Sequence, residues 1–106
     1  MKTEVLKNKL EQLEKALTPE EESKLIDEWL EFDGEKAPFV IMEECAELAQ
    51  VVSKYDGRKH ESMRLNLIEE MADVQIILEF CKRRYNVSED ELARVRTVKL
   101  DREKDI

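Results

Sequence analysis

The sequence is short of everything that breaks a helix. Its 106 residues include 2 Gly and 2 Pro, too few to turn the chain through a multi-stranded sheet. Aromatic residues make up 6%, so a core must be built mainly from aliphatic side chains. The two cysteines, Cys45 and Cys81, form no C-x-x-C pair and lie inside apolar helical segments. They read as reduced core residues, neither a disulfide nor a zinc site. No apolar run approaches the ~20 residues of a membrane span, and the charged opening Met1-Lys2-Thr3-Glu4 is not a signal peptide. A cytoplasmic protein without a membrane partner is therefore expected. Positive charge is also in deficit: 18 basic against 26 acidic residues leaves a net charge of -8. Such a surface repels phosphate backbones and argues against a nucleic-acid partner. It does not argue against a polyphosphate, because divalent cations can bridge the two.

What remains is amphipathic helix. Residues 4–17 carry Leu6, Leu10, Leu13 and Leu17 in one narrow stripe. Thr18-Pro19-Glu20-Glu21 has the form of a capping box with proline at the first helical position. It opens a second helix, carrying Leu25, Ile26, Trp29, Leu30 and Phe32, that stops near Asp33-Gly34. Trp29 and Phe32 read as core residues of that helix. Pro38 begins a third helix that runs to about Tyr55, and residues 56–60 read as a polar loop with His60 at the surface. A fourth helix follows over residues 61–85, and Ser88-Glu89-Asp90-Glu91 is a second capping box opening a fifth. The expectation is one all-α domain over residues 1–106, an antiparallel bundle of four to five helices. Residues 1–35 form its N-terminal helices and residues 36–106 a metal-binding core. A chain this short buries a modest core alone, so an oligomer is expected.

Four acids fall where a bland amphipathic helix would not put them. Glu44 and Glu47 lie on the third helix and Glu70 and Asp73 on the fourth, each pair at i, i+3. At about 100° per residue, Val40, Leu48, Val51 and Tyr55 surround Glu44 on the wheel. Met63, Leu67, Val74, Ile77 and Cys81 surround Glu70 in the same way. Glu44 and Glu70 are thus central in apolar faces, with Glu47 and Asp73 near the edges. Carboxylates facing a core are costly, and four from two helices repel one another. Divalent cations relieve both problems, and hard oxygen ligands suit Mg²⁺ or Mn²⁺. The single histidine lies in neither pair, so the Glu-x-x-His of di-iron bundles is missing.

The two motifs, Glu43-Glu44-Cys45-Ala46-Glu47 and Glu69-Glu70-Met71-Ala72-Asp73, together with the gap between them, resemble the MazG-like all-α nucleoside triphosphate pyrophosphohydrolases. The resemblance covers residues 39–102. It implies that Glu44, Glu47, Glu70 and Asp73 hold Mg²⁺, which binds the triphosphate, and that cleavage falls between the α- and β-phosphates. It further implies phosphate contacts from late basic residues, here Lys99 and Arg102, and a homodimer or dimer of dimers. Lys54, about two turns beyond Glu47, is a further phosphate candidate. Glu47 at the edge of the apolar face is the candidate general base, and Glu43, directed away from that face, reads as a surface residue or one that supports a ligand from behind. Two alternatives stand beside this reading. One is a phosphoribosyl-ATP pyrophosphohydrolase, although the histidine that usually follows its aspartate is absent after Asp73. The other is a non-catalytic helical interaction module, whose acids would meet basic side chains of a partner.

Overall fold

The computed structural model describes residues 3–58 and 63–103, and every regular element among them is helical. In chain order these are α1 (Thr3–Gln12), α2 (Pro19–Asp33), a 3₁₀ turn (Gly34–Lys36), α3 (Ala37–Arg58), α4 (Arg64–Arg84) and α5 (Glu89–Glu103). None of the described helices is long and apolar enough to cross a membrane. His60 and the expected start of the fourth helix at Glu61 lie outside the described residues.

Both capping boxes form. The Thr18 hydroxyl accepts from the Glu21 amide at 3.1 Å, and the Glu21 carboxylate accepts from the Thr18 amide at 3.0 Å. Ser88 and Glu91 repeat the exchange at 3.1 and 2.9 Å. Each box satisfies two amides that a helix start otherwise leaves unpaired. α1 is shorter than its leucine stripe. Thr18 needs extended backbone, φ -73° and ψ 160°, and α1 ends at Gln12 rather than continuing to Leu17. Leu13 and Leu17 are left 58% and 48% exposed; a narrow stripe without a packing partner does not sustain an isolated helix. At the other end, α3 runs on to Arg58, through the expected loop start at Asp56-Gly57.

The end of α4 is built by Asn86. The Val87 amide donates to the Lys82 carbonyl at 2.9 Å and the Asn86 amide to the Arg83 carbonyl at 3.4 Å. This is the Schellman pattern, and it holds Asn86 at φ 53°, the only non-glycine positive φ among the described residues.

Packing centres on α3 against α4, with α2 and α1 laid against α4. Trp29 of α2 stacks on Phe80 of α4, ring centroids 4.4 Å apart and 5° from parallel. Arg83 braces the same contact: it bonds Asp27 at 2.7 Å, Glu79 at 3.1 Å and the Ser23 hydroxyl at 2.6 Å. Trp29 thus packs as its sequence position suggests, but Phe32 is 86% exposed. The α2 face that meets α4 is set by Trp29 and Ile26, and Phe32 points off it. Cys45 is likewise exposed rather than part of the core, and Cys81 is half-buried.

Candidate metal centre

The site grows from the antiparallel contact of α3 and α4. The Glu44 carboxyl lies at hydrogen-bonding distance from Asp73, and Glu70 from Glu47. As the number rises on α3 it falls on α4, so each i, i+3 pair faces the other across the seam. One carboxylate oxygen from each of Glu44, Glu47 and Glu70 falls within 4.8 Å of the others, and Asp73 joins through Glu44. Three of the four acids thus converge closely enough to share one ion, and Asp73 lies beside them outside that group.

Its electrostatics are strained. Burial, then the charges of Asp73, Glu47 and Glu70, push Glu44 up to about 7 from an ordinary 4.5. Burial, reinforced by Glu47 and Asp73, raises Glu70. Burial also raises Asp73, against the opposing effect of its hydrogen bond with Glu44. A cation at the seam would relieve this crowding of like charge. One further oxygen on each of Glu44 and Glu70 is shut off from solvent and has no hydrogen-bond partner. Buried carboxylate oxygens without a donor are costly. A divalent cation, needing several oxygen ligands and carrying opposite charge, is the kind of partner such oxygens call for. The donor set thus fits Mg²⁺ or Mn²⁺: all oxygen, no sulfur or imidazole.

Glu47 is exposed where Glu44, Glu70 and Asp73 are half-buried, so it is the acid of the cluster most open to solvent. Glu43 is exposed on α3. Lys54 is exposed on the same side of α3 as Glu47, about two turns on. Lys99 and Arg102 are exposed in the C-terminal half of α5. The described anchors of that helix, Lys82–Glu89 at 2.9 Å and a groove wall at Leu92, lie in its N-terminal half. No described contact carries Lys99 or Arg102 to the carboxylates.

A groove of about 450 Å³ that the sequence does not announce lies beside Glu44 and Asp73, walled by Leu6 and Leu10 of α1 and by Leu65, Ile68 and Ala72 of α4. The leucine stripe of α1 was its signal, but a stripe does not say which helix it meets. Comparison of the chain with protein-family models, with curated proteins and with solved structures found no match.

Proposed function

We propose that the protein is a Mg²⁺-dependent nucleoside triphosphate pyrophosphohydrolase of the MazG-like kind, releasing the monophosphate and pyrophosphate. The observation that carries this reading is the convergence of Glu44, Glu47 and Glu70 within 4.8 Å, with orphaned buried oxygens on Glu44 and Glu70. Glu44, Glu47, Glu70 and Asp73 would hold the metal, with Mn²⁺ an acceptable substitute. Bound there, Mg²⁺ supplies positive charge to the triphosphate and acidifies a coordinated water.

The chain's own residues do the rest. Glu44 and Glu70, half-buried on facing helices, give the cluster a rigid floor. Glu47, at the open edge, would take the proton of the attacking water. Lys54, on the same side, is the basic side chain of α3 best placed for a phosphate. The acids repel a triphosphate unless cations intervene, so hydrolysis depends on divalent ion throughout.

The test is a panel of nucleoside triphosphates incubated with Mg²⁺, with phosphorus NMR of the products. Monophosphate with pyrophosphate is expected, and none with a chelator present. Diphosphate with orthophosphate would place the cut at another bond and overturn the reading; so would turnover unaffected by chelator.

A further inference from the structure

The groove between α1 and α4 opens directly onto the acid cluster. Its volume of about 450 Å³ falls within the roughly 300–1,000 Å³ of pockets that hold small organic ligands. Its lining is sorted by chemistry. Glu44 and Asp73 belong to the acid cluster, and Glu69 stands beside them in the groove wall. With Glu70 as origin on the wheel of α4, Asp73 lies at about -60°, Glu69 at about -100°, and Leu65, Ala72 and Ile68 between about -140° and -200°. Moving away from the seam, the order is therefore metal-ligand candidate, second carboxylate, aliphatic wall. Leu6 and Leu10 of α1 supply the opposite wall.

The two walls are laid side by side without closing on each other. Leu10 is 49% and Ile68 45% exposed, although α1 packs against α4. Aliphatic surfaces that face each other across a gap forgo the contacts that a flat apolar body between them would restore. The five aliphatic side chains offer neither a hydrogen-bond donor nor an acceptor. The polar side chains of the lining are all carboxyls: Glu44, Asp73 and Glu69. An occupant matched to this lining is anionic at the metal, carries O–H or N–H donors one step further on, and ends in a flat apolar ring. A nucleoside triphosphate has its parts in that order: phosphate, sugar with free hydroxyls, base.

We infer that this groove holds the nucleoside half of the substrate, with Glu69 accepting from the ribose hydroxyls and the base lying between the leucines of α1 and the aliphatic wall of α4. The inference rests on the proposed reaction, which supplies the phosphate anchor at the cluster. Its consequence is an enzyme selective for the sugar and tolerant of the base. One carboxylate can accept from the 2′- and 3′-hydroxyls together, and hydrogen bonds to a charged acceptor are the strong ones. A deoxyribose leaves one of them unmade. The slot has no side chain that hydrogen-bonds a base edge, and an apolar pocket separates isosteric rings only weakly. Glu69 is thus a specificity-determining residue and not a metal ligand.

The test compares kcat/KM within matched pairs of nucleotides. ATP should exceed dATP by about 10-fold or more, and Glu69→Ala should bring that ratio close to one. ATP against ITP, and CTP against UTP, differ by an amino group in place of a carbonyl, and each pair should agree within about 5-fold. A second readout uses the unaltered protein and no turnover. α,β-Methylene-ATP with Mg²⁺, which cannot be cut between those phosphates, should shift the NMR methyl resonances of Leu6, Leu10, Leu65 and Ile68. Hydrolysis without a sugar preference, with a 10-fold or greater difference within either base pair, or with these methyls undisturbed overturns the inference and leaves the proposed reaction standing. Shifted methyls without hydrolysis overturn the reaction and keep the groove as a nucleotide site. Neither hydrolysis nor shifts overturns both.

Discussion

At the residue scale, Glu44 sets the chemistry of the metal-free protein. Its folded value of about 7 lies above the ordinary 4.5, so between those values the folded state holds a proton that the unfolded chain has released. Stability then falls as pH rises through that window and is indifferent to this group below it. Glu70 and Asp73, both raised mainly by burial, act in the same direction. In chelator, the melting temperature should fall between about pH 5 and pH 7.5. Glu44→Gln removes one charge from the cluster and should flatten the fall, and millimolar Mg²⁺ should reverse it in the wild type but not in Glu44→Gln. A melting temperature that rises across this window would mean that the acids are not crowded in solution. The same substitution, or Glu70→Gln, should abolish hydrolysis with the helices intact; activity within a few-fold of wild type in both would remove these residues from the site.

At the element scale, the informative position is Asn86. Its φ of 53° is a conformation that costs an ordinary L residue about 1 kcal/mol or more, and asparagine and glycine tolerate it best. It turns the chain from α4 into the Ser88 cap of α5 within a few residues. Through the Lys82–Glu89 and Arg96–Glu89 ion pairs at 2.9 and 2.8 Å, it fixes where α5 begins. Asn86→Gly should leave the unfolding midpoint near wild type, and Asn86→Ala should lower stability by about 1 kcal/mol, read by urea denaturation. Equal midpoints for the two variants would mean that the turn relaxes to another conformation.

At the scale of the whole molecule, the ratio of surface to core governs behaviour. With three buried apolar residues described and 17 large hydrophobic side chains exposed, the isolated chain has little cooperative core to lose. The sequence points to α4 as apolar well beyond one face, through Leu65, Ile68, Ile76 and Phe80. The structure divides that set: Phe80 is buried under Trp29 and Leu65 is half-buried, while Ile68 and Ile76 stay 45% and 42% exposed. On α3, Phe39, Met42 and Val52 are exposed as well. If association completes the core, the melting temperature should rise by several degrees for each tenfold increase in protein concentration, as mass action requires when unfolding is coupled to dissociation. A concentration-independent melting temperature over two decades would show that the monomer is self-sufficient.

Local rules carried the secondary structure. Thr18-Pro19 and Ser88-Glu91 specify their helix starts within four residues, because a cap is satisfied by its own neighbours. The i, i+3 spacing put Glu44 with Glu47 and Glu70 with Asp73 on single faces, and the apolar residues around Glu44 and Glu70 marked both faces as inward. The sequence by itself thus determined an all-helical chain and two acid pairs, each with one member central in an apolar face. Tertiary structure alone decided that the pairs meet, which depends on the antiparallel register of α3 and α4. It also decided that Phe32 and Cys45 face solvent, that α1 stops at Gln12, and which apolar residues of α3 and α4 stay uncovered. Each of these depends on which helix lies against which, and periodicity along one helix gives the direction of a face without naming what covers it.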